Sequence, residues 1–319
     1  MMAATARRAR RPAKAKAKSK AGTAKQTARK MPPRKTARAA KTANSNLEFE
    51  TVKIEKKDGI TFVILNRPEK RNALSPQMHY DMDQALIHFA TDPETKVLVL
   101  TGAGKAFTAG QDLKLYFRDT ANDPVERAKA SHASESWRSP RLINFPKPTI
   151  AMVNGYVFGG GLTPVVSCDV AIAADDAVFG ISEINWGHIP GGLVGWNMAQ
   201  SMMFRDAMWY AISGDTFTGK EARDMKFINF SVPRAKLRSE TIKIAKKLMK
   251  KNPWAIRYTK EAMRSVRHMS MDQAADYLKV KSEALQRVDQ EHGRQEGMRQ
   301  FLDTKTFRPG IGTYKRKPA

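Results

Sequence analysis

Cysteine is nearly absent: Cys168 is the only one in 319 residues. A lone cysteine excludes an intrachain disulfide and any zinc site built from thiolates. It fits a reducing compartment, so a cytoplasmic location is expected. In the run Pro164-Val165-Val166-Ser167-Cys168-Asp169 no basic neighbour would favour a thiolate, so Cys168 reads as a buried structural residue. Long hydrophobic runs are missing as well. No stretch reaches the ~18 apolar residues that suggest a transmembrane helix, so no membrane span is expected. The N-terminus has charge without an apolar core, so no secretory signal is expected. No spacing of histidines and acids suggests a metal site.

Acidic residues are lacking over one long segment. Residues 1–46 hold 15 Lys/Arg and no Asp or Glu, whereas the whole chain has 56 basic and 31 acidic residues and a formal net charge of +25. Most of the excess charge therefore lies in that segment, and the remainder is only moderately basic. Built mainly from Ala, Lys, Arg, Thr and Pro, the segment has too little apolar surface to offset its ordering entropy. A disordered basic tail is expected over 1–46. Its use stays open among three readings: a solvated tail with weak nonspecific affinity for polyanions, a nucleic-acid or membrane-surface arm, or an organelle transit peptide.

From Leu47 onward the chain is organised. Phe49, Val52 and Ile54 alternate with polar residues, Asp58-Gly59 makes a turn, and Ile60–Leu65 forms the second arm of a hairpin. Ser75-Pro76 opens a helix carrying Met78, Met82, Leu86 and Phe89 on one face. Val97–Leu100, Thr149–Val153 and Val170–Ala173 are continuous apolar runs, of the kind found in strands buried on both faces. Strands alternating with helices predict an α/β domain, and the chain reads mostly helical after Ala199. With 41% hydrophobic residues a sizeable core is available. No internal repeat is visible.

Three segments carry candidate chemistry: Lys105–Leu113, Asn154–Leu162 and Phe179–Gly187. Gly159-Gly160-Gly161 before a helix exposes backbone N–H groups at a positive terminus, and Ala109-Gly110 offers a second small-residue loop. Two converging N–H donors are the parts of an oxyanion hole. Glu183 lies among Phe179, Ile181, Ile184 and Trp186; buried there, its carboxyl would serve as acid or base near neutrality. Taken alone, these features have plainer readings. Three glycines suit close helix–strand packing, a glutamate can be solvated or ion-paired, and Asp112 can be a helix N-cap. No Gly-Lys-Ser/Thr follows the glycines, so they are not a phosphate loop.

Asn66–Leu74, those three segments and Ile189-Pro190-Gly191-Gly192 together resemble the crotonase (enoyl-CoA hydratase/isomerase) family over about residues 47–312. The resemblance implies a ββα spiral core over 47–245 and a helical C-terminal trimerisation region over 246–319. It also implies an acyl-CoA thioester substrate with no separate cofactor, and assembly as a homotrimer or dimer of trimers. By position, the N–H groups of Gln111 and Gly160 would form the oxyanion hole, with Glu183 as the working acid/base. Arg67, Lys70, Arg71, Ala73, Ala109 and Asp112 would meet the CoA moiety.

A typical hydratase has a second catalytic glutamate, and Thr163 stands in its place here. Thr163 with Glu183, the run Ser182–Gly187, Leu113–Arg118 and Gly293–Asp303 are similar to the hydroxycinnamoyl-CoA hydratase-lyases. That likeness implies hydration followed by retro-aldol cleavage to an aromatic aldehyde and acetyl-CoA. Tyr116 would bind the far end of the ring, and Lys279 falls where the group has a second ring-contacting tyrosine. Two alternatives are a single-step hydratase or isomerase on another acyl-CoA, and a nucleic-acid-binding module acting through the basic tail.

Overall fold

A computed structural model describes residues 48–316. The basic segment 1–46 and the expected starting point Leu47 lie outside the described residues. The expected hairpin is β1 (Val52–Lys57) and β2 (Ile60–Leu65), paired antiparallel from Val52↔Leu65 to Lys57↔Ile60. Its two turn residues both take positive φ, 52° at Asp58 and 77° at Gly59, as a two-residue hairpin turn with matching twist requires. Lysines on β1 line a sheet edge, where charge discourages pairing with other chains.

After α1 (Pro76–Thr91), whose N-cap Ser75 accepts from the Met78 N–H, the chain enters a repeating pattern. β3 (Val97–Gly102) is followed by β4 (Ala106–Thr108) and α2 (Pro124–Ser136). β5 (Thr149–Val153) is followed by β6 (Tyr156–Phe158) and α3 (Leu162–Ser167). β7 (Val170–Ala174) is followed by β8 (Val178–Gly180), α4 (Val194–Ser201) and α5 (Phe204–Ser213). The first strand of each pair joins a six-stranded sheet ordered β1-β2-β3-β5-β7-β10, parallel from β2 onward. The second joins a four-stranded sheet ordered β4-β6-β8-β9, in which β4, β6 and β8 are parallel. β9 (Thr216–Thr218) and β10 (Phe230–Val232), separated by α6 (Gly219–Asp224), close the two sheets. This is the ββα spiral that the resemblance implied.

β2, β3 and β5 are buried at every position, which explains their continuous apolar sequences. The core continues through Phe107, Trp137, Phe179 and Phe217, each essentially inaccessible. Cys168 is buried, and burial pushes its thiol up to about 12, in keeping with a structural residue. The C-terminal part is helical: α7 (Leu237–Met249), α8 (Pro253–Val266), α9 (Met271–Val288) and α10 (Gly293–Leu302). The division expected between residues 245 and 246 falls inside α7, which buries Leu237, Thr241 and Ala245 against the core. The helical region therefore begins as part of the core's own packing. Among the described residues no helix is long and apolar enough to cross a membrane, and no group of three or more metal-ligating side chains occurs.

Candidate active site

The topology brings the three candidate segments together. Because β4, β6 and β8 are parallel neighbours, the chain leaves all three at the same end of the small sheet. β4 runs into Ala109–Asp112, β6 into Gly159–Gly161, and β8 into Ile181–Trp186. Ligand sites form outside the carboxyl ends of parallel strands for this reason. A cavity of about 460 Å3 opens there, lined by residues of all three loops and closed on one side by residues 186–192.

Glu183 opens a 3-10 turn (Glu183–Trp186) that Gly187 ends in the left-handed region. Its side chain lines the cavity, yet the residue is only 8% exposed. Oε2 is buried and has no hydrogen-bond partner in the protein. Burial pushes the carboxyl above the usual carboxylate range; nearby N–H groups and His188 offset part of the rise. The carboxyl lies against Gly159, where an added methyl would sit 2.7 Å from Oε1. Gly159 also has φ of 47°, so both backbone conformation and space require glycine there.

The loops that carry the two candidate backbone donors, Gln111 and Gly160, pack against each other. A parallel bridge spends Gly110 O and the Asp112 N–H on Leu74, and the Gln111 N–H between them takes no part in it. Gly110 packs on the next loop, its missing Cβ 2.7 Å from Phe158 O and 3.7 Å from the Gly160 nitrogen. The Gln111 side chain lies against Gly160, with Cγ 3.3 Å from where a Cβ would be. Its carboxamide is held at both ends: Oε1 is 2.8 Å from His79 Nε2, and Nε2 donates to Ser134 Oγ at 3.2 Å.

Trp137 Nε1 donates to His79 Nδ1 at 2.9 Å. An indole N–H only donates, so Nδ1 must accept and Nε2 carries the proton toward Gln111. Burial, with the nearby charge of Arg138, pulls the His79 pKa down to about 3, so this imidazole stays neutral.

The remaining wall is aromatic. Tyr116 is buried on a π-helical segment, Leu113–Arg118, and Phe117 and Trp186 line the cavity beside it. Phe117 and Trp186 lie 6.4 Å apart, and the Arg127 guanidinium sits 5.0 Å from the Tyr116 ring and 5.1 Å from that of Phe117. π-Helical turns are frequent where a helix is bent to aim side chains at a site.

Of the residues singled out in the sequence, Glu183, Gly160, Gln111, Tyr116 and Ala109 line the cavity. Thr163 does not. It is buried on α3, one turn beyond the glycines, and its Oγ1 lacks a partner. Lys279 lies exposed on α9 and is not in the cavity wall of this chain. Arg67 donates to Ala73 O at 2.6 Å and to Asp112 at 3.0 Å, tying two expected CoA-facing loops together. Ala109 N–H donates to Arg71 O at 2.9 Å, which strengthens the same junction. Asp112 is the N-cap of Leu113–Arg118, and Lys70 and Arg71 are exposed. Sequence reasoning missed His79, Trp137 and Arg138. They lie 21 residues or more before the glycine turn, in segments with no motif to mark them.

Comparison with known proteins agrees with this geometry. The chain matches the profile of the enoyl-CoA hydratase/isomerase family over residues 55–309. The chain belongs to that family. It is 48% identical over 269 residues to the hydroxycinnamoyl-CoA hydratase-lyase of Pseudomonas fluorescens, covering 84% of this chain and 98% of that one. It is 30% identical to a probable mitochondrial enoyl-CoA hydratase of Dictyostelium discoideum, covering 81% of this chain and 90% of the relative. Among solved structures it resembles an enoyl-CoA hydratase from Bacillus anthracis (TM-score 0.72, 27% identity, 80% of this chain and 97% of the other). It also resembles human enoyl coenzyme A hydratase domain-containing protein 3 (TM-score 0.73, 26% identity, 80% and 98%).

Proposed function

We propose that the protein hydrates a hydroxycinnamoyl-CoA thioester and cleaves the product to an aromatic aldehyde and acetyl-CoA. The observation that carries this reading is a single buried carboxyl, Glu183, beside the glycine turn in an aromatic-walled cavity. The likeness to a hydratase-lyase at 48% identity supports the same assignment.

In this mechanism the thioester oxygen accepts from the N–H groups of Gln111 and Gly160. Glu183 as carboxylate takes a proton from water as its oxygen adds to Cβ. The electrons move onto the thioester oxygen as an enolate, and Glu183 returns the proton to Cα. In the second step Glu183 takes the proton of the new β-hydroxyl, the Cα–Cβ bond breaks, and the aldehyde departs. The acetyl-CoA enolate then recovers the proton from Glu183. One carboxyl is back in its starting state after each step, and one oxyanion hole serves both enolates. A carboxyl raised by burial is suited to both giving and taking a proton. Tyr116, Phe117 and Trp186 supply flat surfaces for the ring. Arg67, Lys70, Arg71, Ala73, Ala109 and Asp112 lie on the CoA side, and Thr163, buried behind the glycine turn, adds no charge to the cavity wall. The chemistry draws on no group beyond the protein, its thioester and water, and the active unit is a homotrimer or a dimer of trimers.

A single-step hydratase is the second reading. It is favoured by Lys279, which lies outside the cavity wall and leaves Tyr116 as the phenol-facing residue of this chain. Product analysis separates the two. Incubation with feruloyl-CoA should give vanillin and acetyl-CoA in equal amounts; a β-hydroxy thioester without aldehyde would establish the single-step reading.

A further inference from the structure

Arg138 is the most deeply buried cation among the described residues, 4% exposed, and it lines the same cavity as Glu183. It sits on the π-helical segment Trp137–Arg141 that follows α2. Nε donates to Ser134 O and Nη1 to Gly160 O, both at 3.0 Å. Those bonds satisfy its geometry but not its charge. No carboxylate lies within ion-pair distance among the described residues, although exposed Glu135 lines the same cavity. Nη2 has no protein acceptor and reaches toward Gly192 on the opposite wall, 3.6 Å from where a Cβ would be. A buried cation without a counter-charge is strongly destabilising unless something else supplies the anion.

Its position indicates which anion. Nη1 lies 2.9 Å from where a Cβ of Gly160 would stand. The charge is therefore next to the turn whose N–H is one of the two donors. We propose that Arg138 is a further group of the oxyanion hole, its uncompensated charge set against the enolate that forms on the thioester. This rests on the reading that the cavity turns over a CoA thioester. Neighbouring His79 stays neutral, so it does not share the task. A fixed cation beside the hole favours the enolate over the uncharged thioester and so acts on the transition state more than on substrate binding. A purely structural arginine, tying α2 to the glycine turn, would show no such preference for charge.

The test compares two non-reacting thioethers of equal size, S-carboxymethyl-CoA and S-carbamoylmethyl-CoA, which differ in the charge offered near the hole. By calorimetry at fixed pH and salt, the full-length protein should bind the carboxylate about tenfold more tightly than the amide. Arg138→Met should abolish that preference while leaving affinity for the amide nearly unchanged, and Arg138→Lys should restore part of it. On substrate, Arg138→Met should lower kcat on the order of 10- to 100-fold with little change in KM. Equal binding of the two thioethers by the unaltered protein would overturn the proposal, and that measurement stands even if Arg138→Met fails to fold. A preference that survives in a folded Arg138→Met would overturn it too. Neither thioether depends on turnover, so a missing aldehyde product would refute only the lyase reading. Failure to bind either thioether would refute the CoA site, and this proposal with it.

Discussion

Glu183 combines two properties that conflict in a purely structural residue: it is buried, and one carboxyl oxygen has no partner. Its raised pKa means that folding disfavours its ionisation. Its stabilising contribution is present below the ordinary carboxylate range and is lost as pH rises through the folded value. Glu183→Gln should therefore lower kcat on the order of 10²- to 10⁴-fold, yet raise the melting temperature at neutral pH. The stability gain should vanish near pH 4, where the native carboxyl is protonated as well. Paired melting curves at both pH values check this. Gly159→Ala should harm the same carboxyl from the other side. The new methyl meets Oε1, and alanine at φ of 47° adds about 1–2 kcal/mol of backbone strain. The expected outcome is a large fall in kcat and a modest fall in the unfolding midpoint in urea. The apolar neighbours of Glu183 are visible in the sequence, but its burial is not. That depends on Gly159, 24 residues earlier, reaching it through the pairing of β6 with β8.

At the scale of elements, the turn-forming signals were legible because they act locally. Asp58-Gly59, Ser75-Pro76 and the glycine run each fix their own backbone, and each appears where the sequence predicts. The π-helical segments were not legible, since a widened turn leaves no mark in hydrophobic spacing. Asp112 links the two cases. Its plain reading as a cap is correct: Oδ1 accepts from the N–H groups of Lys114 and Leu115, at 3.1 and 2.9 Å, while Oδ2 pairs with Arg67. Burial alone would raise its pKa, but the Leu115 N–H and Arg67 outweigh it and hold the carboxyl below its usual range. The stabilisation is thus present above the ordinary carboxylate range and lost as pH falls through the folded value. Asp112→Ala should cost about 1–2 kcal/mol at pH 7 and much less at pH 3, measured by urea unfolding. Asp112→Asn keeps an acceptor for the cap and should lose less. Because the capped segment carries Tyr116, the alanine variant should also raise KM for an aromatic thioester.

At the scale of the molecule, the sequence shows no repeat although the fold repeats three times. What recurs is a pair of short strands, one for each sheet, and such pairs demand only apolar character. The intervening loops differ because each contributes a different part of the site. The basic segment 1–46 is separable from this machinery by its charge. Removing it should leave kcat and KM unchanged while lowering the salt needed to elute the protein from heparin, since that segment holds most of the excess charge.

The helices after the site present a different surface. On α5, Phe204, Met208 and Ile212 recur every four residues and are 62%, 42% and 62% exposed, with Trp209 beside them and Trp196 on α4. Apolar area gathered in this way marks an interface more often than a free surface. It is also continuous in sequence with the site, because Ile189, Gly191 and Gly192 of the cavity wall lead directly into α4. Covering this face with a second copy would fix that wall, which in one chain is an exposed loop. Sedimentation should give three or six times the chain mass for the unaltered protein. Phe204→Asp combined with Trp209→Glu should yield monomers that keep their far-ultraviolet dichroism. Their kcat should fall at least tenfold, because residues 186–192 lose their support. A fully active monomer would show that the apolar face serves some purpose other than building the site.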